Sequence, residues 1–172
     1  NIFNEIKSKS LKKKIDFIMA TPPCQGMSTA GKKNKNDKRN DLIIPTIKFI
    51  KELKTKYVLI ENVPQFLKTT VIYKNDEINI LDLINNELSS SYKINSYIIN
   101  TKDYKVPQSR KRAIITMTRN DVNNEWKLPK KDNNTMNLKD VIGDIPIIDP
   151  FISDITENEL LQIFPNFHTR RE

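Results

Sequence analysis

The chain has 172 residues, with 29 Lys and Arg against 21 Asp and Glu, a net charge of +8 and a pI near 9.5. One cysteine and one histidine exclude an intrachain disulfide and a structural Cys/His zinc site. The hydrophobic fraction of 37% suffices for a core at a size where about 70% of the unfolded surface is buried. Apolar runs stay well short of the roughly 20 residues a bilayer crossing needs, and the first residues are not a charged-then-apolar leader. The expectation is a soluble intracellular protein, away from membranes, whose positive charge favours an anionic partner, nucleic acid first. The competing source of that charge is compositional, since Lys, Asn and Ile crowd the chain as an AT-rich coding sequence would make them.

Residues 1–14 mix Ile and Phe with Lys-rich stretches. The apolar run 15–20 closed by Thr21-Pro22-Pro23 then reads as a buried strand. Residues 24–40 form a polar loop with the basic cluster Lys32, Lys33, Lys35, Lys38 and Arg39, and loops of that length inside a domain are usually functional or disordered. Ile43, Ile47 and Ile50 recur at helical spacing over 41–53, with Asp or Asn suited to the N-cap and Pro45 in the first turn. A strand follows at 57–60, running into Glu61-Asn62-Val63-Pro64, and a helix at 78–88. Two more strands are expected at 92–99 and 113–117. Short helices are expected at 138–142 and 156–164, the second opened by the capping box Thr156-x-x-Glu159. Alternation of this kind predicts an α/β fold, in which ligands gather at the carboxyl ends of strands. Gly26, Gly31 and Gly143 are too scattered for a Gly-rich phosphate loop, so a nucleotide-like cofactor would be held without one, or with one supplied from outside these residues.

Three groups of residues could carry chemistry. Cys24 follows a strand and a double proline and opens the basic loop, where positive neighbours would favour its thiolate; an inert buried thiol is the alternative. Glu61 stands at the end of the adjacent strand, half-buried, suited to donate a proton or to hydrogen-bond a protonated ring, or else to cap the helix that Pro64 begins. Arg110 and Arg112 lie two apart in an extended segment, on one side of it, and their guanidinium forks suit phosphate or a carbonyl unless they are a solvated edge.

In this order, Pro22-Pro23-Cys24-Gln25, Glu61-Asn62-Val63 and Pro107-Gln108-x-Arg110-x-Arg112 resemble the cytosine carbon-5 DNA methyltransferases. The similarity runs from about Ile15 to Pro146. It takes in Gly26-Met27-Ser28-Thr29-Ala30-Gly31-Lys32 with Asp37-x-Arg39, Asp41-Leu42, Asn100-x-x-Asp103-Tyr104-x-Val106, and Leu138-Lys139-Asp140-Val141-Ile142. The resemblance implies a partial doubly wound, Rossmann-like methyltransferase sheet with flanking helices. It implies methyl transfer from S-adenosylmethionine to carbon 5 of a cytosine flipped out of double-stranded DNA, without a metal. Cys24 would be the nucleophile, Glu61 would hold ring nitrogen 3 and the amine, and Arg112 would hold the base carbonyl, with Arg110 beside it. Pro22, Pro23 and Leu42 would approach the cofactor, while Gln25, Ser28, Lys32, Lys33 and Arg39 would meet DNA. Met27, Asn40 and Lys105 depart from the family pattern, in which Phe, Gly and Gly are usual, and Lys105 would be strained if its site needs positive φ.

Residues 1–148 are then expected to be the central and C-terminal part of the catalytic domain, and 149–172 the entry to a target-recognition domain, with His168 structural. The Gly-rich cofactor loop should lie ahead of Ile15 and the recognition domain after Arg171. The expected setting is a bacterial cytoplasm, near the nucleoid, in a restriction-modification system. Two alternatives remain: the tRNA-methylating branch of the same family, and an incomplete half of a split or truncated enzyme that needs a second polypeptide for the cofactor loop and recognition domain.

Overall fold

A computed structural model describes residues 15–23, 41–132, 134–145 and 156–163. Strand β1 (Phe17–Ala20) pairs in parallel with β2 (Tyr57–Asn62), in the register Phe17↔Tyr57 to Ala20↔Ile60. Parallel neighbours need a crossover, and helix α1 (Ile43–Leu53) lies within it. Its Ile43, Ile47 and Ile50 are buried, as the helical spacing requires. Pro45 falls in the first turn, where N–H groups have no intrahelical acceptor. The expected Asp cap is not used: residues 41–42 form a 3-10 lead-in, Leu42 takes the N-cap position with no side-chain bond, and Thr46 Oγ1 donates to the Leu42 carbonyl (2.8 Å).

After β2 the chain makes a 3-10 helix, Pro64–Lys68, which buries Phe66. The helix expected over 78–88 begins later. Thr70–Tyr73 (β3) and Asp76–Asn79 (β4) form a hairpin, and α2 runs Ile80–Leu88, so Ile78 is a strand residue opposite Val71. The two-residue loop Lys74-Asn75 has positive φ at both positions (54° and 75°), the signature of a type I′ turn. Asn79 ends β4 and caps α2, its Oδ1 accepting from Leu81 N (2.8 Å) and Asp82 N (3.4 Å), while its Nδ2 donates to the Leu67 carbonyl (3.1 Å).

Strands β5 (Tyr92–Asn100) and β6 (Lys111–Arg119) form a long antiparallel pair, each reaching past its expected bounds. β6 inserts between β5 and β2, antiparallel to both, giving the order β1-β2-β6-β5. Helices α1 and α2 both pack on one face of this sheet, where Ile43, Ile47, Ile50, Ile80, Leu83, Ile84 and Leu88 meet Val58, Ile60, Ile115 and Met117. The other face carries the segment that follows β6. Trp126 N–H donates to Thr118 Oγ1 (3.0 Å), and its ring packs on Phe17 and Tyr57, at centroid distances of 5.5 and 6.1 Å.

Helices α3 (Leu138–Ile142) and α4 (Glu157–Ile163) match the expected short helices; Phe164 lies outside the described residues. Asn137 and Asp140 form a capping box on α3, and Thr156 and Glu159 exchange the expected bonds on α4. Among the described residues no helix is long and apolar enough to cross a membrane.

Candidate active site

The chain leaves β1 through Thr21, Pro22 and Pro23. Asn62, the last residue of β2, continues the alternation of Val58 and Ile60 and so faces the helices, only 4% exposed. Its Nδ2 donates to the Pro22 carbonyl (2.8 Å) and its Oδ1 accepts from Val63 N–H (2.8 Å). One buried amide thus ties together the exits of two parallel strands. The site expectations pass over Asn62, although carrying the period-2 pattern two residues beyond Ile60 puts it on the buried face.

Glu61 points to the opposite face. In the register Glu61↔Ile114 and Asn62↔Ala113, Arg112 lies diagonally across from Glu61 on the same face, within reach of a long side chain. Arg112 Nε donates to Glu61 Oε1 at 2.8 Å, with the side chains 17% and 29% exposed, and a terminal nitrogen of Arg112 also donates to the Lys111 carbonyl (2.8 Å). The capping alternative for Glu61 is overturned, because the 3-10 helix that Pro64 opens has Val63 at its N-cap and no side-chain cap bond.

Arg110 stands one residue ahead of β6 and is exposed. Its backbone N–H donates to Asn100 Oδ1 (3.1 Å) and Thr101 Oγ1 (3.2 Å), and its carbonyl accepts from Thr101 N–H (3.1 Å). Asn100 Nδ2 donates to Ser109 Oγ (3.3 Å) and Thr101 Oγ1 to the Gln108 carbonyl (2.5 Å). Asn100 and Thr101 therefore grip the inner side of the loop that carries Arg110 and leads into Arg112 of β6. Lys105 does occupy the left-handed region, at φ 60°.

Of the residues expected near a cofactor, Pro22 is half-buried, and Pro23 and Leu42 are exposed. Cys24, Gln25, Ser28, Lys32, Lys33 and Arg39 lie outside the described residues, as do Met27, Asn40 and His168. No group of His, Cys, Asp and Glu suited to a metal ion occurs among the described residues.

The carboxyl ends of β1 and β2 and the start of β6 thus meet at one end of the sheet. They present a carboxylate that accepts and a guanidinium that donates, side by side and partly shielded. That pairing suits a planar, polar ligand carrying both donors and acceptors.

An α/β domain with a polar site at the carboxyl ends of its parallel strands is the class that fold and site define. The chain belongs to the C-5 cytosine-specific DNA methylase family, whose model matches residues 2–170. It is 42% identical over 153 residues to the type II methyltransferase M1.HgaI of Avibacterium volantium, covering 86% of this chain and 42% of the relative. It is 32% identical over 142 residues to M.MthTI of Methanothermobacter thermautotrophicus, covering 82% of this chain and 41% of the relative. A crystal structure of a DNA modification methyltransferase encoded within an E. coli prophage superposes with TM-score 0.64 at 26% identity, over 84% of this chain and 39% of that one. DNMT2 of Spodoptera frugiperda superposes with TM-score 0.53 at 26% identity, over 77% and 38%. The chain spans about two fifths of the length of these curated relatives.

Proposed function

We propose that this chain supplies the catalytic centre for methyl transfer from S-adenosylmethionine to carbon 5 of cytosine in double-stranded DNA. The observation that carries the reading is the Glu61–Arg112 pair at the same sheet end as Pro22 and Pro23, which run directly into Cys24. Glu61 accepts from a protonated ring nitrogen 3 and the neighbouring amine of a flipped base, and Arg112 donates to its carbonyl. The Cys24 thiolate adds to carbon 6, and the electron pair of the 5,6 double bond moves onto the ring, where the nitrogen-3 proton held by Glu61 and the Arg112 guanidinium offset the charge. Carbon 5 thereby becomes nucleophilic. S-adenosylmethionine, held by Pro22, Pro23 and Leu42, would supply the electrophilic methyl on its sulfonium, with a neutral thioether as leaving group. A base then takes the carbon-5 proton, the double bond re-forms and the Cys24 thiolate is expelled, so atoms and charge balance. Arg110, exposed beside this site, orders it and meets the phosphate backbone.

The exposed side chains of Pro23 and Leu42, at the exit of β1 and the entry of α1, are of the apolar kind on which an adenosine and a methionine moiety pack; half-buried Pro22 precedes Pro23. Gln25, Ser28, Lys32, Lys33 and Arg39 meet the nucleic acid, the cations through its phosphates. Residues 1–148 act as the catalytic part and 149–172 lead toward target recognition. The type II relatives support a setting in a restriction-modification system, and the one from Avibacterium volantium supports a bacterial cytoplasm.

Trapping on duplex DNA containing 5-fluorocytosine tests the reading. The chain is used with S-adenosylmethionine, alone and complemented with the flanking segments of a relative. Fluorine cannot leave as a proton does, so a covalent adduct at Cys24 accumulates, and Cys24→Ser abolishes it. Methylation that persists unchanged in Cys24→Ser overturns the mechanism, and methylation of a parallel tRNA in place of DNA overturns the substrate.

A further inference from the structure

The loop between β5 and β6 is held from two sides. On its inner side Asn100 and Thr101 bond the backbone of residues 108–110. On its outer side it meets the returning segment near residue 132. Asp132 N–H donates to the Asp103 carbonyl (2.8 Å), Lys105 Nζ pairs with Asp132 Oδ2 (3.0 Å), and Lys131 Nζ pairs with Asp103 Oδ2 (3.0 Å). Each segment gives one lysine and one carboxylate to the other. Both carboxylates are partly buried, and Asp132 Oδ1 also accepts from Asn134 N–H (2.8 Å).

Isolated surface pairs contribute little, because water screens them and two long side chains must be ordered. Here the pairs reinforce a backbone bond at a loop otherwise fixed along one side. Lys105 also occupies a left-handed conformation that a non-glycine residue adopts at some cost, and glycine would fill that position without it. A residue kept in strain with its ammonium on a carboxylate is explained if the contact does something the backbone alone cannot.

We infer that Lys105 and Asp132, with Lys131 and Asp103, tether the loop that ends at Arg110 and leads into Arg112 of β6. They are positioning residues for the arginines and touch no substrate. The inference rests on the proposed role of those arginines, but its structural half is testable without it.

The proton on Arg112 Nε, bonded to Glu61, reports the loop. In the 172-residue chain labelled with 15N-arginine, its exchange with water is compared in the native protein and in Lys105→Gly, Lys105→Arg and Asp132→Asn. Asp132→Asn keeps an acceptor for Asn134 N–H and removes the charge. Lys105→Gly and Asp132→Asn are expected to speed exchange about two- to fivefold, the range an exposed pair supports. Lys105→Arg should stay near the native rate. Lys105→Gly should at the same time leave Tm unchanged or raise it, because glycine relieves the backbone, so protection and stability move apart. Unchanged exchange in Lys105→Gly, or equal acceleration in Lys105→Arg, overturns the tether. In the complemented enzyme, Lys105→Gly lowers kcat for DNA methylation by a similar factor with KM little changed. A native protein that fails to methylate refutes the functional reading while leaving the exchange result to decide the tether.

Discussion

Removing the amide of Asn62 should show how firmly the strand exits are joined. Asn62→Ala deletes two hydrogen bonds at once, leaving the Pro22 carbonyl without its donor and Val63 N–H without its acceptor. A buried group left unpaired costs about 1–3 kcal/mol. Pro22 and Val63 are themselves half-buried, so water can partly replace the amide, and the expected loss is about 2–3 kcal/mol. For a chain of this size that lowers Tm by roughly 4–12 °C. Trp126, the single tryptophan, packs on Phe17 and Tyr57 at the opposite ends of β1 and β2, and its fluorescence can follow urea and thermal unfolding without being touched by the substitution. Asn62→Asp supplies the control: it keeps an acceptor for Val63 but, ionised, turns a second oxygen on the Pro22 carbonyl. Its loss at pH 7 should at least equal that of Asn62→Ala and should shrink in acid, as the introduced carboxyl takes up a proton and regains a donor. A Tm within about 1 °C of native for Asn62→Ala, or no pH dependence for Asn62→Asp, would refute the reasoning.

Two further outcomes follow from the packing around α1, α2 and the hairpin. The Lys51 ammonium, 2.6 Å from Glu87 Oε2, and the hydroxyl of Tyr73 hold the Glu87 carboxyl below its ordinary value of 4.5. A carboxylate with a lowered folded pKa stabilises above its unfolded pKa and loses that contribution as pH falls through the folded one. Native protein should therefore lose stability below about pH 4.5 more steeply than Glu87→Gln, and parallel curves in acid denaturation would contradict this. In the hairpin, Lys74→Asn with Asn75→Gly installs the pair that type I′ turns favour. Stability should rise by about 0.5 kcal/mol, since the exposed Lys74–Glu87 pair at 3.8 Å contributes little; a fall in Tm would mean a different turn.

The parts of the fold that were legible in the sequence are those with a clean period. Ile43, Ile47 and Ile50 mark α1, and the apolar runs at 57–60 and 113–117 mark β2 and β6. The hairpin was missed because its strands are four residues each and Ile78 also suits the helical spacing of Ile80, Leu81 and Ile84. Its clue was the β-prone Val71-Ile72-Tyr73 before Lys74-Asn75-Asp76. Local pattern could not place β6 between β2 and β5, because its partners in β2 lie 51 to 61 residues away in the chain. For the same reason Glu61 had two equal readings until its partner was known. Lys105 was recognisable as a departure from the family's glycine, strained if its site took positive φ, but the carboxylate that meets it comes from Asp132, in a polar stretch with no periodicity to place it.

The position of the candidate site follows from register more than from any one residue. β1 and β2 run parallel, so Pro22-Pro23 and Glu61-Asn62 emerge at the same end, while β6 runs against them and brings its first residues there. Side chains alternate across a strand, so a slip of one residue between β2 and β6 would send Arg112 to the helix face, away from Glu61. The pairing is held in place by burial on both faces of β6. Ala113, Ile115 and Met117 are buried on the side of the helices, and Ile114, Thr116 and Thr118 on the side of Trp126. A one-residue slip would exchange these two sets, moving two threonines into the core with Val58 and Ile60 and taking Ile115 and Met117 out of it. Thr116 Oγ1 is already unpaired among the described residues, but Thr118 would give up the bond its Oγ1 accepts from Trp126 N–H, and a buried group left unpaired costs about 1–3 kcal/mol. The slipped pairing forfeits that bond and the packing of Ile115 and Met117 against the helices, within the roughly 5–15 kcal/mol that holds a domain of ordinary stability. The geometry of the Glu61–Arg112 pair is thus secured by residues that take no part in its chemistry.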